Sequence, residues 1–147
     1  MSDSARKPGR IQYGALPFRR RDNSKTEVML VTSRGTGQWI IPKGWPMKRK
    51  APHVAAAREA LEEAGVVGQI GKQPIGSFSH KKQRKQGPVV ICEVHVFPLE
   101  VTHQRKTWRE KGKRDVQWFS PAKAAKVVRQ PVLSKMIRSL KKADGEG

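Results

Sequence analysis

The chain has 147 residues, of which 31 are Lys or Arg and 12 are Asp or Glu, so its formal net charge is +19. This length favours one domain with a true core, and this charge predicts an anionic partner: a polyphosphate, a nucleic acid or an acidic membrane. No apolar run reaches the ~20 residues of a membrane-spanning helix, and the N-terminus lacks the apolar stretch of a secretory signal. The single Cys92 excludes an internal disulfide, so we expect a cytoplasmic protein.

The predicted elements mix strands and helices within one domain, residues 10–142, between a disordered segment 1–9 and a tail 143–147. Apolar alternation and flanking turn residues predict strands at Gln12–Phe18, Glu27–Thr32, Gln38–Ile41, Ile75–Ser79, Val89–Phe97 and Val116–Phe119. Loops are predicted at residues 43–51, 81–87 and 102–114, and the chain is expected to be loose from Lys141 onward.

Three prolines predict the starts of the helices, because proline suits the first helical turn. The first helix should run from Pro52 to about Ala64 and end at Gly65. The second begins at Pro121 and runs through Val128, and the third begins at Pro131. In the first helix, the spacing predicts an apolar stripe made of Val54, Ala57, Leu61 and Ala64.

Three of the eight Glu residues of the chain fall within five positions of the first helix. Glu59, Glu62 and Glu63 stand at i, i+3 and i+4, so they project from one face, roughly opposite the predicted apolar stripe. Three like charges at this spacing repel each other, and a hard divalent cation would reverse the sign of that energy. The spacing therefore predicts a metal site, although a solvated polar face is the common alternative for such a helix.

The segment from Gly44 to Val66 resembles the signature of the Nudix hydrolases: Gly, five residues, Glu, seven residues, then Arg-Glu-hydrophobic-any-Glu-Glu-any-Gly-hydrophobic. Gly44, Arg58, Glu59 and the residues Glu62, Glu63, Gly65 and Val66 fall at the required spacing. Two positions depart from it, because Lys50 replaces the first Glu and the small Ala60 follows Arg-Glu. The resemblance implies an α/β/α sandwich with a mixed sheet, in which this loop-helix-loop holds metal.

The resemblance also implies roles for the residues of the motif. Glu59 and Glu63 would bind the metal, with Gly44 contributing a carbonyl or a close approach. Glu62 would act as the base, although other members of the family place the base on the first Glu or on a distant loop. Arg58 would position the carboxylates. The metal is expected to be Mg²⁺, with Mn²⁺ as the alternative, and the reaction is the attack of water on a phosphoanhydride.

The sequence around the motif is similar to the diphosphoinositol polyphosphate phosphohydrolase branch of this family. Ser33-Arg34 precedes Gln38–Pro42 as in that branch, and Trp108, Arg114 and Trp118-Phe119 occupy similar positions. This likeness implies a diphosphoinositol polyphosphate or a dinucleoside polyphosphate as substrate, and it leaves Trp108 either a substrate contact or a loop anchor. The candidate substrate-binding residues are Arg10, Ser33, Arg34, Lys43, Lys48 and Arg114.

Other functions compete with this interpretation. The substrate could be another nucleoside diphosphate derivative or an RNA 5′ end, because four clusters of cations favour anionic polymers as well. No known nucleic-acid-binding motif accompanies those clusters. A non-catalytic binding module is the remaining alternative, and Lys50 is the feature in its favour. The intact Glu59, Glu62 and Glu63 are evidence for an enzyme.

Overall fold

The structure is a computed structural model that describes residues 10–22, 25–82 and 86–146, with side chains to residue 140. The predicted disorder of residues 1–9 lies outside the described residues, as does part of the predicted loop 81–87. Eight strands and three helices occupy the described part of the chain, in this order: β1 Arg10–Arg20, β2 Thr26–Thr32, β3 Trp39–Ile40, β4 Lys43–Gly44, α1 Pro52–Ala64, β5 Val66–Ile70, β6 Gly76–Lys82, β7 Val90–Gln104, β8 Val116–Phe119, α2 Pro121–Val127 and α3 Pro131–Glu146.

The strands form one mixed sheet around the parallel pair β1 and β7. The strand order is β3-β2-β1-β7-β5, while β4 pairs with β1, β6 with β7 and β8 with β2. Every pairing besides that of β1 with β7 is antiparallel within the described residues. Because β1 lies at the centre of the sheet, side chains from its N-terminal half can line a space bordered by β4, β6 and the end of β2.

Helices cover both faces of the sheet, which confirms the predicted α/β/α sandwich. On one face, Leu16, Leu30 and Val94 of the sheet belong to the same buried cluster as Leu133 and Ile137 of α3. On the other face, the sheet meets α1 through small side chains, and this second cluster contains Ala15, Met29, Val31, Ala56, Ala60, Ala64, Val66, Phe97 and Leu99. The two layers therefore differ in the size of the helical side chains that fill them.

The predicted apolar stripe of α1 is confirmed at Ala64 and wrong at its other three positions. The buried residues of this helix are Ala55, Ala56, Ala60, Glu63 and Ala64, whereas Val54 is 39% exposed. Because alanine side chains are small, the helix packs close to the sheet. Its larger apolar residues lie at the edges of this contact. Glu63 consequently lies on the buried face, beside the alanines, and the carboxylates do not stand opposite the packed side of the helix.

Most predicted elements are found, with shifted ends and two additions. The short strands β4 and β5 were not predicted, and β7 continues to Gln104, into the predicted loop. The segment predicted to be loose after Lys141 is helical to Glu146. Strand β5 carries a weak pattern because it includes Gly68, where a Cβ atom would lie 1.9 Å from the carbonyl oxygen of Glu100 in β7. This close pairing needs glycine, and glycine is a poor sequence signal for a strand.

Within the described residues, the helices are too short or too polar to cross a lipid bilayer.

Candidate active site

Helix α1 begins and ends where its sequence dictates. Pro52 occupies the first turn, and Gly65 adopts the left-handed conformation with φ of 73° while its N–H donates to the carbonyl of Leu61. A side chain at residue 65 would also collide with Trp108, whose ring lies 2.2 Å from an ideal Cβ position. Both the backbone angle and the close approach of Trp108 therefore require glycine here. These contacts fix the end of the helix that carries the carboxylates.

Glu59 and Glu63 meet one turn apart at the buried edge of α1. A hydrogen bond joins their carboxyl groups, and Glu63 is only 3% exposed. Burial is the main cause that raises the pKa of Glu63 to about 9, followed by the hydrogen bond with Glu59. Burial also raises the pKa of Glu59, whereas its hydrogen bond with Glu63 lowers it. We infer that Glu63 is protonated and donates to Glu59, so the pair shares a proton that a bound cation would replace.

Gly44 provides the space for this pair. An ideal Cβ atom on Gly44 would lie 2.1 Å from Oε2 and 2.4 Å from Cδ of Glu59. Any side chain at this position would displace the carboxylate. The glycine that begins the signature therefore allows the backbone of β4 to approach Glu59, which is the close approach expected from the sequence.

Arg114 ties the carboxylate pair to the loop between β7 and β8. Its Nε donates to Oε1 of Glu110 at 2.8 Å, its Nη1 donates to the carbonyl of Thr32 at 3.1 Å, and its Nη2 lies 3.9 Å from Oε1 of Glu63. The side chain of Arg114 is 13% exposed. The backbone N–H of Glu110 also donates to the carbonyl of Glu62 at 3.0 Å. The loop is thus bonded to both the backbone and the side chains of α1.

Glu62 occupies a different environment from the buried pair. Its Oε2 accepts from Nε of Arg58 at 2.8 Å and lies 3.8 Å from Nη1 of Arg109. This arrangement matches the expected pairing of Arg58 with a carboxylate, and it identifies that carboxylate as Glu62. The Glu62 side chain is 17% exposed, and it does not line the pocket described next.

A cavity of about 620 Å³ opens in front of Glu59 and Glu63. We call it the carboxylate pocket; its wall contains Gln12, Ser33, Arg34, Gly35, Ile40, Lys43, Gly44, Trp45, Glu59, Glu63, Lys82 and Arg114. Of the residues expected from the sequence to contact substrate, Ser33, Arg34, Lys43 and Arg114 lie in this wall. Arg10 lies 5.8 Å from the ring of Trp45, at the rim, whereas Lys48 is exposed and outside the wall. Lys50 is likewise exposed and outside it.

The cations of the carboxylate pocket are crowded. Burial, and then the neighbouring charge of Lys82, lower the pKa of Lys43. The ammonium group of Lys82 lies 5.9 Å from the ring of Trp45, on which Arg10 also packs. A negatively charged ligand would relieve this repulsion, and Lys and Arg are the side chains that bind phosphate groups.

Sequence reasoning missed several residues of this site. Gln12 is 3% exposed, lies in the pocket wall, and its Oε1 has no hydrogen-bond partner among the described residues. A polar residue at an inward position of β1 was the available signal, since Gly14 and Leu16 follow on the same buried side. Lys82 and Trp45 belong to no recognisable sequence motif, so nothing in the sequence indicated their place in the site. Glu110 was one residue in a charged loop, and only the fold brings that loop to α1, where the backbone N–H of Glu110 donates to the carbonyl of Glu62.

The structure also bears on residues that the sequence left open. Trp108 packs on Gly65 and lies outside the wall of the carboxylate pocket, which favours the loop anchor over a substrate contact. The guanidinium carbon of Arg19 lies 4.0 Å from the ring centroid of the half-buried Trp118. In the described chain, His, Cys, Asp and Glu side chains form no group of three arranged to hold a metal. The oxygen donors at hand are the Glu59 and Glu63 carboxylates next to the backbone of Gly44, and such hard donors fit a divalent cation that keeps some of its water.

Comparison with known proteins gives consistent matches along the chain. A family model for the NUDIX domain matches residues 11–140. Diphosphoinositol polyphosphate phosphohydrolase 3-beta of Bos taurus is 33% identical over 126 residues, which cover 82% of this chain and 73% of that protein. The chloroplastic Nudix hydrolase 21 of Arabidopsis thaliana is 33% identical over 115 residues, 76% of this chain and 56% of that protein. The chain thus spans little more than half the length of this plant relative.

Solved structures share the fold. A C. elegans Ap4A hydrolase, in a binary complex, superposes with a TM-score of 0.66 at 18% identity, covering 94% of this chain and 99% of that one. The NUDIX domain of Shewanella oneidensis NrtR, complexed with ADP ribose, gives a TM-score of 0.67 at 16% identity, covering 95% and 91%. At such low identity these likenesses establish the fold alone.

Proposed function

This chain belongs to the Nudix hydrolase family, and we propose that it is a divalent-metal-dependent hydrolase that cleaves a phosphoanhydride bond in a polyphosphorylated small molecule. The observation that carries this proposal is the Glu59–Glu63 pair, whose carboxyl groups are hydrogen-bonded to each other at the wall of a pocket lined by four cationic side chains. Oxygen donors on one side and cations on the other suit a metal-bound polyphosphate.

Glu59 and Glu63 are the residues proposed to hold the metal, with Gly44 allowing the approach of the backbone. Hydrolases of this family generally use divalent metal ions, and we propose Mg²⁺, with Mn²⁺ able to replace it. When bound, the metal neutralises phosphate charge and polarises the phosphorus toward attack. The loss of the shared proton from the carboxyl pair is the expected consequence of binding.

Glu62 is the proposed base for the attacking water. It is the third carboxylate of α1, and its Oε2 is held by Arg58 at 2.8 Å. Arg58 thereby holds the Glu62 carboxylate in one orientation. Because water must lose a proton as it attacks, the reaction requires a carboxylate that can accept that proton. A Glu62→Gln variant whose pH–rate profile keeps its acidic limb would exclude this role.

The remaining polar wall of the pocket is proposed to bind phosphate. Arg34, Lys43 and Arg114 would contact the phosphates with Ser33, and Arg10 would reach them past Trp45. Lys48 is exposed, and we retain it only as a contact for the far end of a long substrate. Affinity should therefore rise with the number of phosphates and fall with added salt.

The substrate class follows from the relatives and from the charge. The Bos taurus relative is named for diphosphoinositol polyphosphates, and the nematode structure is named for Ap4A, a dinucleoside polyphosphate. We propose that this chain acts on one of these two classes. The exposed position of Lys50, away from the pocket wall, supports catalysis over a binding module, because the departure from the signature leaves the carboxylate pair intact.

A substrate panel with Mg²⁺ or Mn²⁺, read by phosphate or nucleotide release, tests the proposal. It should contain diphosphoinositol polyphosphates, dinucleoside polyphosphates, nucleoside diphosphate derivatives and a triphosphorylated RNA. We expect metal-dependent turnover of a polyphosphorylated small molecule. Lack of turnover across the panel, followed by its appearance in Lys50→Glu, would establish that the natural chain is a binding module. Preferential turnover of the RNA would establish an RNA-end hydrolase.

A further inference from the structure

Helices α2 and α3 carry cations in a stretch of the chain that has no acid. Residues 116–143 contain seven Lys and Arg and no Asp or Glu, although the whole chain has 12 acidic residues. In each helix the described cations stand three residues apart, so they share one face of it. We give the name helical basic face to the surface formed by the five exposed cations of this stretch whose side chains are described: Lys123, Lys126, Arg129, Lys135 and Arg138.

The helical basic face lacks the acids that pair with other cations of this protein. Arg19 pairs with Glu27 at 2.8 Å, and Arg114 pairs with Glu110 at the same distance. None of the five cations of the helical basic face forms an ion pair with a residue that the structure describes. Their mutual repulsion destabilises the folded chain, and the same field attracts a polyanion. Such a ligand would remove the repulsion.

Hydrogen bonds hold α2 and α3 to each other and to the sheet. Oγ of Ser134 in α3 donates to the carbonyl of Ala125 in α2 at 2.7 Å. Between the helices, the side chain of Gln130 accepts from the N–H of Val132 at 2.6 Å and donates to the carbonyl of Ser79 in β6 at 3.2 Å. The backbone that carries the cations is therefore preorganised. A ligand that binds the helical basic face would lose little affinity to ordering it.

The chemistry of this face favours a nucleic acid duplex over a single strand or a membrane. No aromatic residue occurs at positions 120–140, so the face cannot stack the bases of a single strand. An interfacial helix inserts its apolar side into lipid, whereas Leu133, Met136 and Ile137 of α3 are buried within the protein. A DNA duplex carries its phosphates on the outside, at one charge per ~1.7 Å of its axis, and cations alone bind them.

The uncharged polar side chains of the two helices favour DNA over RNA. Proteins recognise duplex RNA partly through its 2′-hydroxyl groups, which need polar partners. At positions 121–140 the uncharged polar side chains are Gln130, Ser134 and Ser139. Each of them makes a hydrogen bond within the protein, and Oγ of Ser139 donates to the carbonyl of Met136 at 2.6 Å. The helical basic face therefore offers contacts to phosphate alone.

We propose that the helical basic face binds the phosphate backbone of duplex DNA. The binding has no sequence preference, because phosphate contacts carry no sequence information. None of the five cations lies in the wall of the carboxylate pocket, so the inference goes beyond the proposed hydrolase activity and stands or fails independently of it. The DNA is a docking partner of the protein and not its substrate.

The test measures how salt changes the binding of a mixed-sequence DNA duplex, followed by fluorescence anisotropy. The face variant combines Lys123→Gln, Lys126→Gln, Lys135→Gln and Arg138→Gln. The control variant removes three Lys and one Arg from exposed positions outside α2 and α3, by Lys72→Gln, Arg105→Gln, Lys106→Gln and Lys113→Gln. The two variants therefore have the same net charge. Thermal unfolding checks that both are folded, as expected for substitutions of exposed side chains.

The logarithm of the binding constant falls linearly with the logarithm of the salt concentration, by about 0.9 for each phosphate contacted. We expect the face variant to reduce this slope by about three to four and the control variant by less than about one. Equal losses in the two variants would overturn the inference, because net charge alone would then attract DNA. So would the absence of duplex binding by the wild-type protein, or tighter binding of duplex RNA, of single-stranded DNA or of phosphatidylserine vesicles.

Discussion

The two helical layers of this protein pack on the same sheet, but the helical side chains that make the contact differ in size. The layer of α2 and α3 fills its space with large side chains such as Leu133, Met136 and Ile137. The layer of α1 uses alanines, which bring the helix so close that Glu63 is buried with them. One layer therefore contributes stability through buried apolar volume, and the other gives up such volume to hold carboxylates at the edge of a pocket. Substitutions in the two layers should separate stability from activity.

The largest effect is expected for Glu63→Gln. The amide keeps the shape and burial of the side chain but cannot share a proton or provide an anionic oxygen, so kcat/KM should fall by at least about a hundredfold. The measurement is metal-dependent turnover at saturating Mg²⁺. Glu100→Gln, at an exposed position of β7, is the matched control and should retain wild-type turnover. Near-normal activity of Glu63→Gln would show that Glu63 is not a ligand of the metal.

Gly44→Ala should cost about a hundredfold in kcat/KM, because displacing a catalytic group by about 1 Å has effects of this size. The added Cβ atom would lie 2.1 Å from Oε2 of Glu59 and force it to move. Gly35→Ala adds the same methyl group where no atom lies within 4 Å, so it should reduce turnover far less. Similar losses in both variants would show that the approach of β4 to Glu59 does not matter.

Ile137→Ala should show that the layer of α2 and α3 contributes to stability and not to turnover. Ile137 is fully buried in the layer of α2 and α3, and its truncation should lower the free energy of unfolding by about 2–5 kcal/mol. The kcat/KM of the protein that remains folded should be unchanged. Ala60→Val, in contrast, adds volume under α1 and should lower both stability and turnover. Denaturant unfolding and steady-state kinetics check the pair, and a loss of turnover in folded Ile137→Ala would contradict the division.

Glu110→Gln should lower kcat/KM by about tenfold, the lower end of the range for residues that orient metal ligands. The substitution weakens the 2.8 Å pairing with Arg114, which also contacts Glu63. Because Glu110 acts through Arg114, the loss should appear mainly in kcat. Asp115→Asn, on the same loop, is the control. A loss confined to KM would indicate that Glu110 affects substrate binding instead.

A prediction of a different kind concerns the pH dependence of stability in the metal-free protein. With its pKa raised from 4.5 to about 9, Glu63 is protonated in the folded state over a range in which the unfolded chain is ionised. Folding then takes up a proton, so stability falls as the pH rises from 4.5 toward 9. Thermal unfolding in the presence of a chelator should show this slope, and Glu63→Gln should flatten it. An identical slope in the variant would place the titrating group elsewhere.

The sequence predicted much of this structure because local rules specify the relevant elements. Proline at residue 52 and glycine at residue 65 fix the ends of α1, and the alternating strand at Val89–Phe97 lies inside β7. Glu59 and Glu63 also meet as their spacing suggested, whereas Glu62 pairs with Arg58 instead. Local rules failed where tertiary contacts decide, as for the buried face of α1. A helical wheel favours Val54 and Leu61, whereas the close approach to the sheet selects the alanines.

Residues of the site that come from distant segments could not be found from spacing. Glu110 and Arg114 reach the carboxylates only because the loop between β7 and β8 is bonded to the end of α1. Gln12 lies in the wall of the carboxylate pocket, and a lone Gln in a strand carries no motif that would have indicated this. The assignments of roles to Glu62 and Lys48 stay predictions, as do the domain boundaries at residues 10 and 142.

The most direct test of the central claim is the binding of Mn²⁺, followed by the electron paramagnetic resonance signal of the free ion. The claim is that Glu59 and Glu63 form the metal site of this protein. We expect the wild-type protein to reduce the free Mn²⁺ signal, and the folded double variant Glu59→Gln/Glu63→Gln to leave that signal unchanged at the same concentrations. Equal depletion of the signal by both proteins would contradict the claim and place the metal elsewhere on the chain.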